Sequence, residues 1–259
     1  MKIILNSDNK EYASLWHYNR LLEKMGLLSD DGEIALNICS ISNKGLVRGR
    51  MCTVYIEGDE CFIKGSNKDI YKQADINYIC NKRYLSYYPE GTRVLKSGVY
   101  PDWHYLRDVK KNYDYVFIAS TRCDPVYNNR KELIEKLDNH GKSILRKECP
   151  PMEYPEQMSR GKVILNILPR NGDDASGNYR LLEGCAIGTL MTDWHEVVDD
   201  LGLIPNVHYL PIERFGENFS DEELKRIHEV GRKHVCENFS YRTAIETIIN
   251  DAEAFMKTT

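Results

Sequence analysis

Short apolar runs of strand length alternate with amphipathic segments of helix length along the chain. The first run, residues 1–5, precedes residues 12–25, which carry apolar side chains at helical spacing and stop at Gly26. Further strands are predicted at residues 34–41, 52–56, 76–80 and 94–97, with a short helix at residues 67–74. Strands that alternate with helices in this way indicate an α/β fold with parallel sheets.

The alternation becomes more regular after residue 112. Strands are predicted at residues 115–119, 143–146, 163–168, 190–192 and 208–212. Helices are predicted at residues 130–139, 154–161, 221–236 and 241–256, and a further helix carries Arg180 and ends before Gly188. Ser220 followed by Glu223 is a capping-box pattern at the start of one of them. Proline and charged residues interrupt the pattern between residues 100 and 112, which predicts a domain boundary there.

Composition and charge exclude several functional classes. The chain has 259 residues, of which 42% are hydrophobic and 29% charged, as in an ordinary soluble protein with one large or two small domains. No apolar run reaches membrane-spanning length, and the first residues become polar too soon for a signal peptide, so we expect a cytoplasmic protein without a membrane span. A net charge of −4 argues against a large nucleic-acid surface, and no nucleic-acid partner is expected.

The spacing of the cysteines and of the aspartates matches no common metal-binding motif. The eight cysteines are irregularly spaced and form no Cys-x-x-Cys pair, so free and mostly buried thiols are predicted rather than a zinc site. Asp173 and Asp174 are adjacent rather than separated by one residue. We therefore expect no metal site and no cofactor.

The most informative segment follows the predicted strand at residues 163–168. Turn-forming residues dominate residues 169–177, and Ser176 or Asn178 is placed to cap the next helix. Arg180 and Glu183 then lie on one face of that helix, at positions i and i+3. In an open parallel sheet, ligands bind beyond the carboxyl ends of strands. The free N–H groups of the helix start, near Gly177 and Asn178, suit a diphosphate there.

The run from Tyr179 to Asp193 resembles the signature of glycosyltransferases with the GT-B fold, in particular the group related to spore-maturation glycosyltransferases. The resemblance rests on the arginine, glutamate, alanine, glycine, threonine and aspartate at positions 180, 183, 186, 188, 192 and 193. Further segments that resemble landmarks of this group follow in the expected order, at residues 87–91, 113–120, 130 and 159–166. The resemblance covers roughly residues 75–250.

The resemblance implies an α/β fold with two Rossmann-like domains and parallel sheets, in a compact GT-B form. An acceptor domain would span residues 1–110 and a nucleotide-sugar-binding domain residues 111–240, and a helix at 241–259 would pack back towards the first domain. It also implies that the enzyme moves a hexosyl group from a nucleoside diphosphate sugar to a hydroxyl of a glycan or another acceptor, without a metal ion.

Several donor-binding residues follow from the same resemblance. Glu183 would accept hydrogen bonds from the ribose hydroxyls, and the alternative is a solvated helical glutamate. Arg180 would hold the diphosphate, and the alternative is an exposed pair with Glu183. Arg122 and Arg130 flank the loop after the strand at residues 115–119 and would neutralise the leaving diphosphate, and the alternative is that they are basic by chance, as is common in loops and first helical turns.

The central loop departs from the pattern of the related enzymes. Ala175 stands where they often carry a glutamate that reaches the donor sugar. Asp173 or Asp174 could replace it from a shifted loop, and the alternative is an ordinary turn rich in aspartate. The departure leaves open whether the reaction retains or inverts configuration.

An inverting reaction would need a general base. Asp8 and His17 are candidates because they lie in the predicted acceptor domain, although a lone helical histidine is more often structural. Two rival functions stay open: a sugar-nucleotide epimerase or phosphorylase on the same fold, and a non-catalytic partner protein with a glycosyltransferase scaffold. Ala175 and the short first domain keep the second rival open.

Overall fold

A computed structural model describes the chain as two compact units. The first comprises Met1–Ser97 together with Ser240–Thr259, and the second comprises Gly98–Phe239. The described residues are 1–6, 13–38, 46–57, 68–119, 128–138, 140–168, 170–171, 174–175 and 179–258. The units divide after Ser97 and after Phe239, whereas the sequence pattern predicted a boundary near residue 110.

The secondary structure is mixed α/β throughout the described residues. The strands are β1 (Ile3–Leu5), β2 (Ile34–Ile38), β3 (Cys52–Glu57), β4 (Ile76–Ile79), β5 (Arg93–Val94), β6 (Tyr113–Ile118), β7 (Ile144–Lys147), β8 (Gly161–Asn166), β9 (Arg170–Asn171), β10 (Asp174–Ala175), β11 (Thr189–Thr192) and β12 (Leu210–Pro211). The α-helices are α1 (Ala13–Lys24), α2 (Lys68–Tyr71), α3 (Asn128–Asp138), α4 (Tyr154–Met158), α5 (Tyr179–Ile187), α6 (Glu196–Asp200), α7 (Asp221–Asn238) and α8 (Tyr241–Met256). Short 3-10 turns occupy Lys82–Tyr87, Pro151–Glu153 and Ile212–Arg214.

The first unit is built on a five-stranded sheet whose strands follow chain order. The order is β1-β2-β3-β4-β5, and every neighbouring pair is parallel. The C-terminal helix α8 belongs to this unit. Its Asp251 accepts hydrogen bonds from the Tyr78 hydroxyl at 2.5 Å and pairs with Arg93 at 2.6 Å. These contacts attach α8 to β4 and β5.

The second unit contains a five-stranded parallel sheet with a different order, β12-β11-β8-β6-β7. The chain passes from β6 to β7 on one side, then returns to β8 on the other side of β6. The direction of winding therefore reverses between β6 and β8. Two parallel five-stranded sheets with intervening helices are the architecture that the sequence predicted.

Close packing holds α5 against the sheet of the second unit. A side chain at Gly184 would bring its first carbon to 2.7 Å from Cδ1 of Leu190 on β11, so a larger residue would require the Leu190 side chain to shift. Leu181 and Leu182 of the same helix are buried. The helix that carries Arg180 and Glu183 is thus fixed on the sheet by its own glycine and apolar face.

Long elements agree with the sequence predictions better than short ones. Helix α8 has the predicted limits, and α7 starts at the predicted residue, where the Ser220 hydroxyl accepts from the Glu223 N–H at 3.1 Å. The strand predicted at 208–212 was wrong in extent: it covers Leu210–Pro211, because proline removes a ladder donor and a 3-10 turn follows. Likewise, the strand predicted at 94–97 is reduced to Arg93–Val94.

Two short elements were not predicted at all. The segment interpreted as turns contains a small antiparallel hairpin, in which Asp174 pairs with Asn171 and Ala175 with Arg170. Helix α6 follows β11 and is capped by His195, whose Nδ1 accepts from the Val197 N–H at 3.2 Å. The two strands have two residues each and the helix has five, and no hydrophobic period marks them in the sequence.

None of the described helices is both long enough and apolar enough to cross a membrane. The cysteines that fall within the described ranges are free thiols, and Cys52 and Cys185 are buried.

Candidate functional site

The reversal of winding in the second unit marks a crevice at the carboxyl edge of its sheet. Strands β6 and β8 are neighbours, and the connections that leave their carboxyl ends go to opposite sides. In open α/β sheets, ligands bind where two such connections separate. Ile118 ends β6 and Asn166 ends β8, so the residues just beyond them form the candidate site.

Arg130 fixes a positive charge at this crevice. It lies in the first turn of α3, its side chain is only 1% exposed, and its Nε donates to the carbonyl oxygen of Ile167 at 2.8 Å. Ile167 directly follows β8, so the guanidinium links the helix after β6 to the end of β8. Because arginine stays charged even when buried, the crevice contains a permanent cation. The structure thus brings one of the predicted donor-binding residues to the ligand edge.

Asp193 anchors the backbone just beyond the end of β8. It is buried just after β11, and its Oδ1 accepts from the backbone N–H of Leu168 at 2.8 Å. Beside it, the Asn166 side chain donates to the Thr192 hydroxyl at 3.3 Å. The loop that starts at Leu168 is therefore anchored to the neighbouring strand. In the sequence, Asp193 stands out only as part of a motif, and its anchoring role depends on the fold.

Arg180 lies in the first turn of α5 and is half-buried. Its Nη1 donates to the hydroxyl of Tyr154 at 3.3 Å, and its guanidinium carbon lies 5.9 Å from the centre of that ring. Its Nε is buried, with no hydrogen-bond partner among the described residues. The guanidinium therefore retains donor capacity. The sequence did not identify Tyr154 as its partner.

Burial raises the pKa of two side chains near Arg180, those of Tyr154 and Cys149. Burial raises the pKa of Tyr154 to about 12; the Glu183 carboxylate adds to the rise and Arg180 opposes it. Burial, aided by Glu153, raises the pKa of the Cys149 thiol to about 11. Tyr154 therefore acts as a neutral hydroxyl beside the guanidinium.

Glu183 is fully buried in the middle of α5. Its Oε1 lies 3.7 Å from Nε2 of His104, whose side chain is also fully buried. The alternative of a solvated helical glutamate, and that of an exposed pair between Arg180 and Glu183, are both wrong, because Glu183 has no exposed surface. A ribose would reach this carboxylate only after the groups that cover it move aside.

The other predicted site residues are less fully described. Asp8, Arg122, Gly177 and Asn178 lie outside the described residues, and Asp174 is described only by its backbone in β10. His17 is fully buried on α1 of the first unit, where its ring stacks on Tyr241 at 5.4 Å and meets Trp16 edge-on at 4.8 Å. These packing contacts are typical of a structural histidine, and a role as general base stays a prediction.

No protein-family model matches the chain, and no curated protein matches its sequence. Solved structures do match its fold. HepE of Anabaena, in complex with UDP and glucose, is 9% identical with a TM-score of 0.65, over 98% of this chain and 99% of that one. AviGT4, a glycosyltransferase involved in avilamycin A biosynthesis, is 8% identical with a TM-score of 0.61, over 100% of this chain and 99% of that one.

A third similar structure is an alpha-glucosyltransferase in complex with UDP and a 13-mer DNA. It is 10% identical with a TM-score of 0.56, over 91% of this chain and 83% of that one. Identities this low establish the architecture alone. Two parallel five-stranded sheets and these matches along nearly the full chain show that the protein has the fold of GT-B glycosyltransferases.

Proposed function

We propose that the protein is a glycosyltransferase that moves a hexosyl group from a nucleoside diphosphate sugar to an acceptor hydroxyl. The observation that carries this proposal is the crevice between the ends of β6 and β8, where Arg130 provides a buried, permanent positive charge. Arg180 adds a second guanidinium with a donor that has no described hydrogen-bond partner, in the first turn of a helix that follows β8. Two guanidinium groups, each in the first turn of its own helix, suit a diphosphate.

The structures with this fold include complexes with UDP, and we extend that ligand class to this chain. The second unit would bind the donor, with Glu183 on the ribose. Gly177, Asn178, Arg122 and Asp174 complete the proposed donor site.

Transfer requires stabilisation of a departing diphosphate. The bond between C1 of the sugar and the diphosphate oxygen breaks, the acceptor oxygen bonds to C1, and the acceptor proton passes to a base. Negative charge grows on the diphosphate as its bond breaks. Arg130 and Arg180 would oppose that charge, and preorganised groups of this kind act most strongly on the transition state. Asp8 and His17 are the candidates for the base if the reaction inverts configuration.

Calorimetric titration with UDP, GDP and dTDP tests donor binding, and release of the nucleoside diphosphate from the matching sugar nucleotides tests turnover. We expect one nucleotide to bind and its sugar nucleotide to turn over. An Arg130→Met variant should lose that binding, whereas Arg226→Ala, an exposed arginine on α7, should retain it. If no nucleotide binds to the folded protein, the proposal is wrong.

Product analysis separates transfer from the other reactions of sugar nucleotides. A sugar nucleotide epimerised in the absence of an acceptor would indicate an epimerase instead. Acceptor screens should cover glycans and small hydroxyl compounds. A DNA duplex belongs in the same screen, because one structure of this fold holds DNA, whereas the net charge of −4 leads us to expect no nucleic-acid acceptor.

We further propose that transfer needs no metal ion, because the arginines supply the charge that a cation would otherwise provide. Turnover should survive EDTA unchanged. Loss of turnover with EDTA and its recovery with magnesium or manganese would contradict this proposal and would draw attention to Asp173 and Asp174.

A further inference from the structure

His104 lies on a tight turn that runs against the face of α5 carrying Glu183. The turn begins near Gly98, where a side chain would meet Cδ1 of Leu182 at 2.5 Å. The backbone N–H of Tyr100 donates to Nδ1 of His104 at 3.0 Å. Because Nδ1 accepts this bond, the ring hydrogen of a neutral His104 is on Nε2. His104 therefore presents an N–H group on its Nε2 in either protonation state.

This N–H group faces Glu183. Nε2 lies 3.7 Å from Oε1 of the carboxylate, and both side chains are fully buried. A distance of 3.7 Å is an electrostatic contact and is longer than a hydrogen bond. In ligand-free enzymes such contacts are often long and tighten when the ligand binds.

Arg232 of α7 fixes both partners of this contact. Its guanidinium donates to the carbonyl oxygens of His104 and Ala186, and to that of Pro101 at 3.2 Å. Ala186 lies in the last turn of α5, one turn beyond Glu183. One arginine thus holds the backbone of the turn that carries His104 and of the helix that carries Glu183, so the two side chains are neighbours before any ligand arrives.

We propose that His104 is a positioning residue that orients Glu183 for the ribose of the donor, a role that rests on the proposed function. The buried carboxylate has two oxygens. Nε2 of His104 lies beside Oε1, and this contact favours one rotamer of the carboxylate, the one in which it would accept from the ribose hydroxyls. His104 itself does not touch the donor.

Two substitutions test the roles of Nδ1 and Nε2 of His104 separately. His104→Asn keeps an acceptor near the position of Nδ1 for the Tyr100 N–H and removes the donor that faces Glu183. His104→Gln places an amide N–H near the position of Nε2. We expect His104→Asn to weaken binding of UDP, or of whichever nucleoside diphosphate binds the wild type, by about 10-fold, as for loss of a hydrogen bond to a charged group. His104→Gln should restore most of the affinity.

A double-mutant cycle with Glu183→Ala tests whether His104 acts through the carboxylate. In the Glu183→Ala background, His104→Asn should change the Kd for the nucleotide less than 2-fold. In turnover, His104→Asn should raise the KM for the donor and leave kcat nearly unchanged, because a ribose contact is the same in the ground and transition states. The same substitution at exposed His140 is the matched control and should change neither.

Proton NMR of the wild type provides a measurement that does not depend on the variants folding. Nucleotide binding should shift the Nε2–H resonance of His104 downfield as its contact with Glu183 shortens. An unshifted resonance, or equal effects of His104→Asn with and without Glu183, would overturn the inference while the proposed function stands. A wild type that binds no nucleoside diphosphate would overturn both.

Discussion

The two units contain sheets of the same size and strand direction but differ in where the winding reverses. In the first unit the strands follow chain order, and among its described strands there is no reversal. In the second unit the chain reverses between β6 and β8. Only a reversal separates two neighbouring connections and opens a crevice at the carboxyl edge. Two parallel sheets with the same number of strands can therefore differ in whether they form a ligand site, because the strand order determines where a crevice opens.

The two units also differ in what their buried and half-buried charged side chains contact. In the first unit, Glu57 accepts from the hydroxyls of Tyr55 at 2.9 Å and Tyr71 at 3.2 Å, within an aromatic core. In the second unit, Arg130 lies at the crevice itself, and half-buried Arg180 keeps an Nε without a described partner. We infer that Glu57 is a structural group of the first unit, whereas the guanidinium of Arg180 in the second unit has donor capacity left for a ligand.

The largest effect is expected at Arg180. Arg180→Ala should lower kcat by about 10²–10³, by analogy with loss of one preorganised oxyanion donor. Lysine should restore activity only in part, because a single ammonium cannot bridge two oxygens. Steady-state kinetics with whichever sugar nucleotide the wild type turns over, with Arg226→Ala as control, provide the measurement. Full activity of Arg180→Ala would show that its bond to Tyr154 is structural.

Glu183 should have the next largest effect. Glu183→Ala is expected to weaken nucleoside diphosphate binding by about 1.5–3 kcal/mol, because a charge-assisted contact to the ribose is lost. Calorimetry gives the affinity, and circular dichroism checks that the variant is folded. Glu229→Ala, an exposed glutamate on α7, is the control. Unchanged affinity in a folded Glu183→Ala variant would remove Glu183 from the site.

In the first unit we expect a substitution at a buried polar group to change the stability of the protein and not its affinity for nucleotides. Tyr71→Phe removes one of two phenol donors to the buried Glu57 carboxylate and should lower the free energy of unfolding by about 1.5 kcal/mol. Nucleotide affinity should not change. Tyr87→Phe makes the same change at a tyrosine that is 49% exposed and should affect neither quantity. Denaturant titration measures the free energy of unfolding, and calorimetry measures the nucleotide affinity. A loss of nucleotide affinity in Tyr71→Phe would contradict this difference between the units.

The smallest effect is expected at the start of β8. The amine of exposed Lys162 lies 3.5 Å from Asp114, and Lys162→Ala should cost less than about 1 kcal/mol of stability, with turnover unchanged. The pKa of Asp114 is held below its usual 3.8, first by the backbone N–H of Ser143. The pair stabilises the fold only while Asp114 is charged. The difference between variant and wild type should therefore be present at neutral pH and vanish as pH falls through this lowered pKa.

Long helices and buried strands could be predicted because each carries its own period. The limits of α8 and the start of α7 follow from spacing and caps within a single segment. The hairpin β9-β10 and helix α6 could not be predicted, because they are shorter than one clear period and depend on neighbouring chain. Of the candidate site, Arg130 was expected from the resemblance, and in the structure its Nε donates to the carbonyl oxygen of Ile167 just beyond β8.

The partners of the predicted residues required the tertiary structure. Arg130 contacts a carbonyl 37 positions away, and Arg180 contacts a tyrosine 26 positions away. His104 is still farther from Glu183 in the sequence, and no motif links the two. Contacts between distant segments depend on how the strands order themselves in the sheet, and local spacing carries no information about that order.

The α/β class, the parallel sheets and the types of charged residue near the ends of the strands can be predicted from the amino-acid sequence. These properties depend on hydrophobic period and local turn chemistry, which act over a few residues. The strand order, the burial of Glu183 and its contact with His104 are properties of the folded chain. Burial and strand order result from packing the whole chain, because a side chain is covered by whichever distant segment the fold places over it.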